Sequence, residues 1–216
     1  MVIYLSIACS QYPSIVNTNQ TQPPITNTPP IDSKAINPNT ARKLVTSKQV
    51  NFTAANSFIW LPGGQSILLA NSAELNLFSL TSSKTSQPVI RIQANNPTLL
   101  SVSYSTNKIA WTGEDNLLHL WDIDKQVAAP TMGDGTAPVT GLSFARVEPV
   151  IAVAGYEKTI SIWDVDLQQK INSWNTSAWL TELSFSPDNR QVAGVDLVGF
   201  SLIIFNLNTG EEEQEV

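Results

Sequence analysis

Few residues of this chain have types and spacings that could do chemistry. Among its 216 residues there is one cysteine, Cys9, and one histidine, His119. A thiol enzyme needs a Cys–His dyad, which here would require the only Cys to meet the only His. A Cys/His zinc site needs three or four ligands, and one cysteine forms no intrachain disulfide. Two acidic pairs, Asp122/Asp124 and Asp164/Asp166, have the alternate spacing that places side chains on one face of a strand. Paired carboxylates of this kind serve glycosidases as acid and nucleophile or base. Both pairs recur at the same place in a repeat, however, and read as solvated strand-end residues. His119, inside Leu117-Leu118-His119-Leu120-Trp121, reads as a packed strand residue. Gly63-Gly64 lacks the lysine of a phosphate-cradling loop. No catalytic set, metal site or cofactor is expected.

Twelve basic and eighteen acidic residues give a net charge of −6, and charged residues make up only 14% of the chain. No basic cluster is present to meet nucleic-acid phosphates, so no nucleic-acid partner is expected. Part of the acidic excess is local, in Glu211, Glu212, Glu213 and Glu215. A hydrophobic content of 42% is enough for a packed core.

The elements that position these residues follow from a repeat of about 42 residues. Its clearest mark is an aromatic residue followed by a small or acidic polar one: Phe78-Ser79, Trp121-Asp122, Trp163-Asp164 and Phe205-Asn206, spaced by 43, 42 and 42. Each unit opens with a run ending in an aromatic: Phe58-Ile59-Trp60, Val102-Ser103-Tyr104, Leu142-Ser143-Phe144 and Leu183-Ser184-Phe185. Turns such as Leu61-Pro62-Gly63-Gly64 and Ser186-Pro187-Asp188-Asn189 follow. Second apolar runs lie at 67–70, 109–111, 150–154 and 192–195, and third runs at 75–80, 117–123, 159–165 and 202–207. Weaker fourth runs lie at 89–93, 126–129, 170–174 and the end of the chain, and Lys43-Leu44-Val45 could supply an outer strand for the first unit. Short runs rich in Val, Ile, Leu and aromatics, bounded by turn residues, are strands. The fold class is therefore all-β. Four antiparallel strands per unit is the arithmetic of a propeller blade.

At this point residues 42–216 resemble the WD40 family, with repeats at about 42–80, 88–123, 126–165 and 169–207. Trp121-Asp122 and Trp163-Asp164 are literal copies of the family's dipeptide, and Phe185-Ser186-Pro187-Asp188 matches its first-strand turn. The resemblance implies a WD40-like β-propeller of about four blades, incomplete or open, with Phe78, Trp121, Asp122, Trp163, Asp164 and Phe205 as structural signature residues. Trp121 and Trp163 are expected in the core, with the third strand sandwiched between blades. The Gly-His dipeptide that opens such repeats is missing, so the family's buried Asp-His-Ser/Thr-Trp network is not expected. Asp115 keeps the usual acid of the turn before the third strand in one copy.

Leu5-Ser6-Ile7-Ala8-Cys9 resembles the lipobox of bacterial lipoproteins, with Ser6 departing from it and no basic segment ahead. Cys9 is the lipidation candidate; the alternative is an ordinary apolar start with a buried cysteine. Residues 10–31 carry no charge and are rich in Asn, Thr, Gln and Pro, so 10–41 reads as a disordered tether or tail. This places the protein on a bacterial cell envelope, facing outward; without the anchor it is cytoplasmic.

The resemblance implies a non-enzymatic scaffold or adaptor for a protein partner. The rivals are an extracellular propeller hydrolase and a fragment of a longer WD40 protein. Trp179, beside the loop Asn175-Thr176-Ser177-Ala178, is the candidate contact, because loops carry binding more often than cores. Open blade faces at both ends would favour self-association, two four-blade arcs closing as an eight-blade ring.

Overall fold

The computed structural model describes residues 52, 54–81 and 87–213. Cys9, the lipobox-like segment, the 10–41 tether, Lys43-Leu44-Val45 and Glu215 lie outside them. Everything below concerns the unit Phe52–Val216.

Among the described residues, sixteen strands form four sheets of four, all pairs antiparallel and in chain order. The first sheet holds β1 (Ser57–Trp60), β2 (Ser66–Ala70), β3 (Glu74–Ser79) and β4 (Ile90–Gln93). The second holds β5 (Leu99–Val102), β6 (Lys108–Thr112), β7 (Leu118–Asp122) and β8 (Val127–Ala128). The third holds β9 (Val139–Phe144), β10 (Val150–Gly155), β11 (Thr159–Asp164) and β12 (Gln169–Asn175). The fourth holds β13 (Leu180–Phe185), β14 (Gln191–Asp196), β15 (Leu202–Asn206) and β16 (Glu211–Glu213). The acidic stretch Glu211–Glu213 is thus an outer strand, pairing with Ile204, Phe205 and Asn206. First strands pack side by side, β1 on β5, β5 on β9 and β9 on β13.

Register confirms the repeat at the level of single residues. Phe78, Trp121, Trp163 and Phe205 stand opposite Ile67, Ile109, Ile151 and Val192 on the second strands. One first strand departs from expectation. Its equivalents are Trp60, Val102, Phe144 and Phe185, each opposite one of those same second-strand residues. The second sheet therefore aligns Leu100-Ser101-Val102, not Val102-Ser103-Tyr104, with the other copies, and Tyr104 is exposed in the turn beyond β5. A shift of two residues keeps every side chain on its own face, so alternation alone cannot detect it.

Three apolar clusters fill the spaces between successive sheets. Phe78 and Phe205 are buried, and Trp121 and Trp163 are half-buried but pack against the apolar clusters between sheets. Indole is larger than phenyl and carries an N–H that needs a partner. Trp163 satisfies it by donating to Ser161 Oγ at 2.9 Å, and the Lys170 ammonium covers its ring at 5.1 Å.

Side-chain hydroxyls lock the first strands together across sheets. The Phe144 N–H donates to Ser101 Oγ at 3.0 Å, and the Phe185 N–H donates to Ser143 Oγ at 3.2 Å. Thr140 Oγ1 donates to the Leu180 carbonyl at 2.7 Å. Edge N–H groups that an isolated sheet would leave unpaired are satisfied in this way by the preceding blade.

The turns repeat as well. Asn116, Lys158 and Phe200, spaced by 42, hold φ of 58°, 56° and 55° between second and third strands. Asn tolerates this left-handed region; Lys and Phe adopt it at a cost of roughly 1–2 kcal/mol.

Candidate functional site

Because all pairing is antiparallel, loops alternate between the two ends of each sheet. The turns joining second to third strands, and the connections from each fourth strand to the next sheet, share one end, here termed the upper end. The strand-end carboxylates lie at the other end. There they cap turns. Asp122 Oδ1 accepts the Lys125 N–H at 2.9 Å, and Asp164 Oδ1 accepts the Asp166 and Leu167 N–H groups at 2.8 Å each. Asn206 Oδ1 does the same for Asn208 and Thr209 at 3.0 and 3.2 Å. Asp124 accepts from Asn107 Nδ2 at 2.7 Å, and Asp166 pairs with Lys108 at 2.7 Å. The Lys125 N–H holds the Asp122 carboxyl below its ordinary value near 3.8. In the second, third and fourth units the polar residue after the repeat aromatic is therefore the side-chain acceptor of a turn, a job that Asp and Asn share.

His119 packs within its strand, and its packing surface is an aromatic ring. Its ring stacks on that of Trp111, its cross-strand partner, with centroids 5.1 Å apart and planes 12° from parallel. Its Nε2 lies 2.9 Å from the Asp115 carboxylate, which also accepts the Leu117 N–H at 3.2 Å. The family's network is absent, and this local Asp115–His119–Trp111 set stands at the same end of the second sheet. It borders an open groove of about 550 Å³ lined by Ser72, Gln93, Asn95, Trp111 and His119. Among the described residues, no three His, Cys, Asp or Glu side chains group as a metal site.

Burial pushes the Asp115 carboxyl up, but the hydrogen bonds from His119 and Leu117 outweigh it and hold the group below its ordinary value near 3.8. A folded-state value below the unfolded one means that ionised Asp115 favours the fold above that range, and the contribution fades as pH falls through the folded value. Asp115→Asn should therefore lower the urea midpoint at neutral pH, and the two proteins should converge as pH falls through the lowered folded-state value. A midpoint difference that ignores pH would sink this account.

The third and fourth sheets build a different site at the same end. Tyr156 and Trp179 stack with centroids 5.9 Å apart and planes 29° from parallel. The Trp179 indole N–H donates to the Tyr156 carbonyl at 2.7 Å. Lys158 lies 4.4 Å from the Trp179 ring centroid and donates to the Ser177 carbonyl at 3.1 Å. The next turn adjoins, since the Leu197 N–H donates to the Trp179 carbonyl at 2.9 Å. In that turn Leu197, Val198 and Phe200 are exposed, Phe200 at 89%, the most exposed large apolar residue described. The candidate contact residue Trp179 is thus half-buried and fixed, and its loop adjoins an apolar turn that the sequence reading does not single out. The signal was present: this turn reads Leu-Val-Gly-Phe where the other units place polar residues.

The family described as "WD domain, G-beta repeat" matches residues 130–164, which contain β9 to β11 and end on the Trp163-Asp164 dipeptide. Among solved structures, the WD40 repeats of RRP9 superpose with a TM-score of 0.63 at 12% identity, covering 74% of this chain and 50% of that one. U3-55K superposes with a TM-score of 0.63 at 12% identity, covering 74% and 51%.

The fold is that of a WD40 propeller.

Two curated relatives are similar over shorter stretches. Periodic tryptophan protein 2 of Saccharomyces cerevisiae is 29% identical over 124 residues, 56% of this chain and 13% of the relative. An uncharacterized WD repeat-containing protein of Schizosaccharomyces pombe is 35% identical over 97 residues, 42% of this chain and 22% of the relative. The WD40 arc described here spans about half the length of the solved chains and less than a quarter of these relatives. Both curated relatives are yeast proteins, and a bacterial lipoprotein origin draws no support from them.

Proposed function

We propose that this chain is a non-enzymatic protein-interaction scaffold, and that the upper end of its third and fourth blades binds the partner. One observation carries the reading. Phe200, a bulky residue held at φ 55°, is 89% exposed in a turn that also exposes Leu197 and Val198, and that turn is bonded to the Trp179 loop through the Leu197 N–H and the Trp179 carbonyl. Backbone cost in the left-handed region together with the solvent exposure of a large apolar side chain favours neither folding nor solubility, and the exposure is relieved when a partner covers the tip. Trp and Tyr supply wide, rigid contact area with little entropy to lose, which suits a hot spot. Attachment to an envelope through Cys9 rests on the Leu5–Cys9 pattern and the uncharged segment behind it alone.

The test compares proteins cross-linked in cells to the wild-type chain, to Phe200→Asp and to Trp179→Ala. A partner captured by wild type should be lost with Phe200→Asp and weakened at least about tenfold with Trp179→Ala. A partner retained equally by all three would place binding elsewhere.

A further inference from the structure

The groove between the first and second blades holds a hydrogen-bond donor and an acceptor that the described residues leave unused. Trp111 is 4% exposed and lines the groove together with its stacking partner His119. Its indole N–H donates to no described residue, although a buried indole N–H ordinarily finds a partner. Among the described residues no side-chain nitrogen sealed from solvent lacks a partner. This N–H therefore reaches solvent, and the groove is the opening that Trp111 lines.

His119 supplies the acceptor. Asp115 is held ionised, so its carboxylate accepts from His119 Nε2, 2.9 Å away. A neutral imidazole with its proton on Nε2 keeps a lone pair on Nδ1, and no described residue donates to it. The walls are fixed. The Ala94 and Asn96 N–H groups donate to the Ala73 and Ser72 carbonyls at 2.9 Å each, and the Glu114 N–H donates to the Asn95 carbonyl at 3.3 Å. A Cβ at Gly113 would collide with that same Asn95 oxygen, so only glycine lets the two turns approach so closely. No Lys or Arg stands in the turns at 71–74, 93–96 and 113–116, which carry Glu74, Glu114 and Asp115. An anionic ligand is therefore disfavoured. The Trp111 face on which a sugar ring would stack is already covered by His119.

We propose that this groove binds an extended peptide through the main chain of one residue, whose carbonyl accepts the Trp111 indole N–H and whose N–H donates to His119 Nδ1. An extended residue presents its N–H and C=O on one side, as it does to its partner in an antiparallel ladder. The two rings stack 5.1 Å apart, so one such residue reaches both. A volume of about 550 Å³ is that of a small-ligand pocket, room for a short segment only. The site is separate from the contact proposed on the third and fourth blades, and neither depends on the other.

The experiment is titration of the nitrogen-labelled full chain with the blocked peptide acetyl-Gly-Gly-N-methylamide, read at the Trp111 indole signal in proton–nitrogen spectra. Methyl glucoside and acetate are the comparison probes. The Trp111 signal, assigned through its contacts with the His119 ring, should shift saturably with a dissociation constant of about 1–10 mM, as a few hydrogen bonds without an anchoring side chain allow. His119→Phe keeps a ring on Trp111 but loses the acceptor, and should bind the peptide at least about fivefold more weakly. If that variant does not fold, the wild-type His119 Nδ1 signal gives the same reading and should move during the titration. No saturable shift at Trp111 would overturn the proposal. So would a stronger response to the glucoside or to acetate, which would make the groove a sugar or anion site. Unchanged affinity in a folded His119→Phe protein, or an unmoved Nδ1 signal, would remove the acceptor and with it the proposed pairing.

Discussion

Phe205→Ala should destabilise the propeller arc by about 3–5 kcal/mol. Phe205 is 1% exposed and sits in the cluster between the third and fourth blades with Ala152, Ile160, Ile162, Leu180 and Val192. Its ring tilts against that of Trp174 at 5.4 Å, so truncation opens a cavity under a second aromatic as well. The cost combines lost apolar burial with a void that a β-sandwiched site cannot collapse. Blades touch only their neighbours, so the damage should start at the fourth. Urea unfolding gives the magnitude. Amide exchange should show β13 to β16 losing more protection than β2 and β3. A loss below about 1 kcal/mol, or one spread evenly over all blades, would contradict this packing.

Ser101→Ala should cost about 1–3 kcal/mol, a large effect for the loss of one hydroxyl. Ser101 is buried, and its Oγ is the acceptor for the Phe144 N–H, itself buried between blades. Alanine fits the space but leaves that N–H without a partner, and an orphaned buried donor costs more than an ordinary hydrogen bond contributes. Ser143→Ala removes the equivalent acceptor for Phe185 at a half-buried position, where water can replace it, and should cost less. Ser101→Thr, which keeps the hydroxyl, should recover part of the loss. Equal costs for the two alanine variants, or fast amide exchange at Phe144 in the wild type, would remove the ladder as an element of stability.

The strand framework was open to reading because β-sheet side chains alternate and turns have their own chemistry. Apolar runs of four to seven residues, recurring every 42 or so, marked the positions of nearly all sixteen strands. The same alternation hid the two-residue slip in the second blade, since Val102-Ser103-Tyr104 and Leu100-Ser101-Val102 present identical faces. The Asp122 and Asp164 pairs were placed at strand ends, but their capping of the Lys125, Asp166 and Leu167 N–H groups is a matter of turn geometry. The carboxylate partner of the lone histidine is hidden in the sequence for a related reason. Asp115 lies four residues away, too far to contact along a strand, and only the turn after β6 folds it back onto His119.

The candidate site divides the same way. The loop position of Trp179 is legible in the sequence, and the run Leu197-Val198-Gly199-Phe200 is apolar in a turn, but its exposure is not legible there. Nothing in composition says that the Trp179 loop and this turn adjoin; the Leu197 N–H bonded to the Trp179 carbonyl does.

By itself the sequence determined local matters: all-β class, strand positions, the 42-residue unit and the WD40 resemblance, each depending on residues near in the chain. Only the tertiary structure decided which copies of one repeat position are buried and which hydroxyls bridge blades. Phe205 and Trp163 occupy one register yet differ in burial. The physical reason is that a blade's environment is set by its neighbours, which lie about forty residues away in the chain.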